Sequence, residues 1–108
     1  MKLDGGTSNV GTAGTRVQLS SDAGINATDR ILWAKFTPRE GNTGEVYVGI
    51  SDVSASHGVE LDPGGANKQK DELVLNPGAH GGSIPASSIY FDADTNSNKV
   101  DWALLIAD

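Results

Sequence analysis

The chain has 108 residues, a formal charge of −6, fourteen glycines, no cysteine and two each of Trp, Tyr and Phe. One domain of this length buries only roughly two thirds of its unfolded surface, and glycine raises an entropy cost that few large side chains offset, so association with copies of itself or with a larger scaffold is expected. The missing cysteines exclude a disulfide framework and a thiolate metal site, and an acidic balance without a Lys/Arg cluster argues against direct nucleic-acid binding, which relies on basic residues that release counterions.

Residues 1–14 are mostly Gly, Ser, Thr and Asn with isolated Leu3 and Val10, and read as a flexible N-terminal arm ahead of one domain at 15–108. The opening residues lack the apolar core of a signal peptide. No later run approaches the roughly 20 apolar residues of a membrane span, so the expected protein is soluble, made in a reducing cytoplasm and free of membranes. Residues 15–19 alternate as a first strand. Residues 20–29 leave room for a short helix at most, weakened by Gly24. Residues 30–37 form a second strand, apolar on both faces near its centre, as in a central strand covered on both sides; Pro38 closes it. Residues 45–50 place Val46, Val48 and Ile50 on one face and Glu45, Tyr47 and Gly49 on the other. Residues 58–61 return as a strand into a turn at Pro63 and Gly64, and residues 71–76 form the next. Residues 77–85 contain three glycines and are expected to be an exposed loop. Residues 88–93 and 99–106 make the last pair, with Val100, Trp102, Leu104 and Ile106 on one face. About seven short strands with turn residues at each junction predict an all-β fold, a small antiparallel β-sandwich or a jelly-roll-like barrel.

Candidate chemistry is sparse. Asp92, Asp94 and Asn96 alternate like the opening of a calcium loop, but Ser97 stands where that loop needs glycine and Ala103 where it needs its closing glutamate. A tight turn held by Asp and Asn side chains is the simpler reading. His57 and His80 each sit beside glycine in a loop with no partner at ligand spacing. A triad drawn from Ser54, His57 and Asp62 lacks a nucleophile elbow and a buried acid. No enzymatic activity, cofactor or metal is therefore expected. Asn26, Ala27 and Thr28 fit a glycosylation sequon, which carries no meaning without a secretory signal. Trp33 and Trp102 keep step with apolar neighbours and are assigned to the core, whereas Tyr47 and Tyr90 run out of phase and are candidates for an exposed surface.

The segments ILWAKF at 31–36, NTGEVYVG at 42–49, VELDPG at 59–64 and SIYFDAD at 88–94 together resemble a group of small structural proteins of tailed bacteriophages, across most of the chain from residue 15 onward. The resemblance implies a virion component on the capsid exterior, a head decoration or cement protein that binds the major capsid protein and is often a homotrimer. Rival readings are a tail, baseplate or fibre accessory protein and a carbohydrate-binding module that uses exposed Tyr47 and Tyr90. The expected capsid or subunit contacts are Leu3 and Val10 as anchors of the arm, with Arg16, Tyr47 and Tyr90. An acidic domain suits the outside of a shell, away from packaged DNA. Many weak contacts bridging neighbouring capsid subunits would add avidity.

Overall fold

The computed structural model describes residues 1–21, 24–65 and 67–108. Among these it has nine strands: β1 (Lys2–Val10), β2 (Val17–Gln18), β3 (Arg30–Pro38), β4 (Val46–Gly49), β5 (Val59–Leu61), β6 (Leu73–Leu75), β7 (Ile84–Pro85), β8 (Tyr90–Ala93) and β9 (Asn98–Ile106). Single turns of 3-10 helix lie at Leu19–Ser21, Pro77–His80 and Ala86–Ser88. Asp22 and Ala23, inside the stretch that leaves room for a helix, lie outside the described residues.

The strands form two antiparallel sheets, β1-β9-β3-β6 with β7 also paired to β3, and β2-β8-β4-β5. Alternation decides which side chains meet between them. In β9 the even-numbered Val100, Trp102, Leu104 and Ile106 point inward, and on the facing sheet Val46, Val48, Leu61, Phe91 and Ala93 do the same. Phe36 of β3 and Phe91 of β8 meet edge to face across this interior, centroids 5.6 Å apart at 62°, a geometry that adds about 0.5–1.5 kcal/mol beyond the area it buries. The fold is an all-β sandwich.

The two strands beyond the expected seven are β1 and β7. Residues 2–10 are not a free arm: β1 pairs with β9 in unbroken register from Lys2 opposite Ile106 to Val10 opposite Asn98. The reason lies in what β9 needs. Trp102 is too large to be covered by the opposite sheet alone, and the glycines that made residues 1–14 look structureless give its ring room at Gly6. Val10 and Ser8 are fully buried, and Ser8 Oγ accepts a hydrogen bond from Trp102 Nε1 at 2.9 Å. Residues 77–85 likewise carry the 3-10 turn and β7, with Gly78 so close to the Leu32 carbonyl that a Cβ would fall 2.9 Å from it.

Trp33 is the other correction. The register of β3 against β9 shifts between Ile31 and Trp33, so Ile31 opposes Ile106 while Trp33 opposes Leu105. This extra residue is a β-bulge, and it reverses which face the following side chains occupy. Ile31 faces the core, Trp33 turns to the outer face and lies half-buried, and Ala34 and Phe36 resume the interior. The apolar character on both sides of the strand records this change of phase. Ile50 also departs from expectation, because β4 ends at Gly49 and Ile50 stands 63% exposed.

Candidate functional site

The five expected contact residues are divided between the two sheets. Leu3 lies on the outer face of β1 and is 75% exposed, as a contact residue would be. Val10, at the other end of the same strand, is part of the core and unavailable to a partner. Arg16, Tyr47 and Tyr90 fall by alternation on the outer face of the second sheet, where Gln18 opposes Tyr90 and Tyr47 opposes Asp92. They do not form an open aromatic surface. Tyr47 is only 5% exposed, and the β4–β5 connection folds back over the neighbouring Gly49. Val53 of that connection is fully buried against Gly49 and Gly58, and Arg16 Nη1 reaches across to donate to the Val53 carbonyl at 3.4 Å. Tyr90 is half-buried. Burial, followed by the nearby carboxylates of Asp94, Glu45, Glu60 and Asp92, raises the Tyr47 phenol above its ordinary range.

Those carboxylates make this end of the sheet acidic. Glu45 is pushed up to about 7, first by a hydrogen bond shared with Asp94, then by loss of solvent, then by Glu60. Asp92, the residue that opens the calcium-like stretch, directs Oδ1 to the N–H groups of Gly14 (3.0 Å) and Ala93 (2.8 Å). Asn96 Oδ1 accepts from Ala13 N–H at 2.8 Å and Asn98 Oδ1 from Thr43 N–H at 3.2 Å. Ser97 takes the left-handed conformation, φ 64°. The stretch is a turn whose side chains hold neighbouring backbone, and among the described residues no group of three or more His, Asp or Glu is placed to hold a metal ion. Ser54 and His57 exchange backbone hydrogen bonds, and Ser54 Oγ bonds Ser56 Oγ at 3.3 Å.

Two apolar surfaces remain that sequence reasoning did not single out. The first is a groove of about 200 Å³ where the sandwich is open, between the edge strand β5 of one sheet and β6 and β7 of the other. Val48, Ile50, Val59, Leu73, Leu75 and Ile84 line it, with Ile50 and the 45% exposed Val59 at its mouth. The even spacing of β4 and the β6 run Leu-Val-Leu carried half of this signal; the pairing of their edges did not follow from either segment alone. The second is a row across the outer face of the larger sheet, Leu3 opposite Leu105 and Leu105 opposite Trp33. Four residues along the strands, at Thr7 and Asp101, the same face turns polar. Thr7 Oγ1 donates to Asp101 Oδ1 at 2.7 Å, and Arg39 Nη1 lies 3.0 Å from that oxygen and 3.1 Å from Thr7 Oγ1.

No helix among the described residues is long and apolar enough to cross a membrane. No protein-family model, no curated protein and no solved structure matches the chain.

Proposed function

We propose that this chain is a non-enzymatic structural protein of a tailed-phage virion that binds the outer capsid surface, where the major capsid protein is its partner, and stabilises the head. The observation that carries this reading is the groove between β5 and β6. An apolar slot flanked by unpaired strand edges is equipped to grip an extended segment of another polypeptide, with backbone hydrogen bonds from the edge and pockets for alternate side chains. The sequence likeness to small virion proteins supports the identity of the partner, and three of its four segments, at 42–49, 59–64 and 88–94, build the sheet that supplies one wall of the slot. The formal charge of −6 suits a surface facing away from packaged DNA.

Purified expanded heads mixed with the protein test this directly. Co-sedimentation is expected with heads and not with tails, and Ile50→Asp or Val59→Asp should abolish it while leaving the circular dichroism spectrum intact. Protein that stays in the supernatant with heads and pellets with tails would move it to the tail, baseplate or fibre reading. For the carbohydrate-binding alternative, Tyr47 presents no open ring face for a sugar to stack on, which leaves the half-buried Tyr90 as its ring, and glycan binding lost in Tyr90→Ala would favour it.

A further inference from the structure

The outer edge of β1 is a template for a second copy of itself. Lys99 gives its N–H to Asn42 Oδ1 at 2.9 Å, and its carbonyl accepts from Arg39 N–H at 3.0 Å and Asn42 Nδ2 at 2.7 Å, all on the β3 side of β9. Asn9, directly opposite Lys99, therefore also turns its backbone away from the shared ladder. Alternation carries this along the strand, so Leu3, Gly5, Thr7 and Asn9 present N–H and C=O groups to the open edge. Gly5 points the same way, for its N–H donates to the carboxylate of the adjacent Asp4 at 2.9 Å and, among the described residues, to no other acceptor.

We propose that β1 pairs antiparallel with β1 of a second copy about a twofold axis at Leu3. The side chains choose this register. Leu3 opposite Leu3 exchanges two backbone hydrogen bonds and keeps core face beside core face, because open-edge residues meet open-edge residues. It sets Lys2 of each copy opposite Asp4 of the other, two complementary pairs on the inner face. It also joins the row Trp33, Leu105 and Leu3 to its symmetry mate and covers the most exposed of the protein's large apolar side chains. Within one copy Lys2 Nζ lies 4.0 Å from Asp4 Oδ2. On pairing, Asp4 leaves Gly5 N–H for the incoming Lys2, and Gly5 N–H turns to the residue 1 carbonyl across the axis. Sliding the register by one step of the open edge sets Asp4 against Asp4; sliding it further sets Leu3 against Thr7 or Asn9 and leaves the apolar row ending in water. The two charges that would guard an ordinary edge thus select one pairing. The interface is isologous and produces pairs, where the sequence led to an expectation of threefold assembly. It involves no capsid contact, so it stands or falls in dilute buffer whatever the heads do.

Sedimentation equilibrium over a range of concentrations, with circular dichroism to confirm the fold, tests the pairing on the wild type, Lys2→Asp, Asp4→Lys and the double variant. A reversible dimer is expected, weakened about tenfold or more by either single substitution and restored by the two together. A monomer at all concentrations, a trimer, or a dimer indifferent to both single substitutions would overturn it.

Discussion

Gly6 sits directly opposite Trp102 in the β1–β9 ladder, and the indole fills the space a side chain at Gly6 would need: a Cβ built there falls 2.7 Å from Cζ2. The ring is held in place by its hydrogen bond to Ser8 Oγ, so it cannot swing aside without losing a buried partner. Gly6→Ala is expected to destabilise the fold by about 1–3 kcal/mol through overpacking. Gly5→Ala is the control. Its Cβ would meet nothing closer than the Trp102 carbonyl at 3.4 Å, and a restrained unfolded chain should leave stability unchanged or raised by up to about 1 kcal/mol. Urea melts of the two variants side by side distinguish a packing role for Gly6 from a general dislike of side chains in β1.

Deleting residues 1–10 follows from the same contact and gives the opposite result to removal of a free arm. The truncation strips the ladder from β9, uncovers Trp102 and Val100, and leaves a nine-residue strand with an open apolar edge. Loss of the near-ultraviolet dichroism of the tryptophans, with aggregation, is the expected outcome. A truncated protein that melts cooperatively at the wild-type temperature would return residues 1–10 to the status of an appendage.

These two residues also show how far the sequence can be read. Strands β4 and β9 were legible from period-two alternation, and in β9 the buried positions alternate without a break from Asn98 to Ile106. β1 was not, because its packing is supplied by the partner: glycine carries no pattern, and Trp102 states its need for space from the other end of the chain. Trp33 was misassigned for a related reason, since the bulge at Leu32 changes phase inside a strand and only the pairing with β9 reveals it. Tyr47 keeps the outward phase read from the sequence. It is buried all the same, which alternation alone does not describe. The open groove depends on which edges stop short, a property of the assembled sheets and of no single segment.

Glu45 should make stability fall as pH rises through neutrality. Its carboxyl is held at about 7 in the folded chain against an ordinary 4.5, chiefly by the hydrogen bond with Asp94. Between these values the folded state binds a proton that the unfolded state does not, so each step up in pH favours unfolding. The contribution is fully present below pH 4.5 and is lost as pH rises through 7. Glu45→Gln keeps a donor toward Asp94 and removes the titrating group. Thermal melts across this interval should show a falling melting temperature for the wild type and a flatter one for the variant, whereas equal slopes would assign the dependence to other carboxylates.

Asp92 is buried, and its Oδ1 holds two backbone N–H groups: that of Ala93 beside it and that of Gly14 in the connection that crosses from β1 to β2. Gly14 takes a left-handed φ of 84°, so the loop there depends on glycine and on this one acceptor. Asp92→Ala leaves the Gly14 N–H without its partner and should cost about 1–3 kcal/mol. Asp92→Asn retains an oxygen in the same place and should cost less. Amide hydrogen exchange at Gly14 and Ala93 reads the cause separately from the total, with both expected to exchange faster in the alanine variant and Gly14 most affected. Calcium is the discriminating addition. A carboxylate already committed to backbone should give no rise in melting temperature when the ion is added, and a calcium-dependent rise that disappears in Asp92→Asn would make the 92–98 turn a cation site after all.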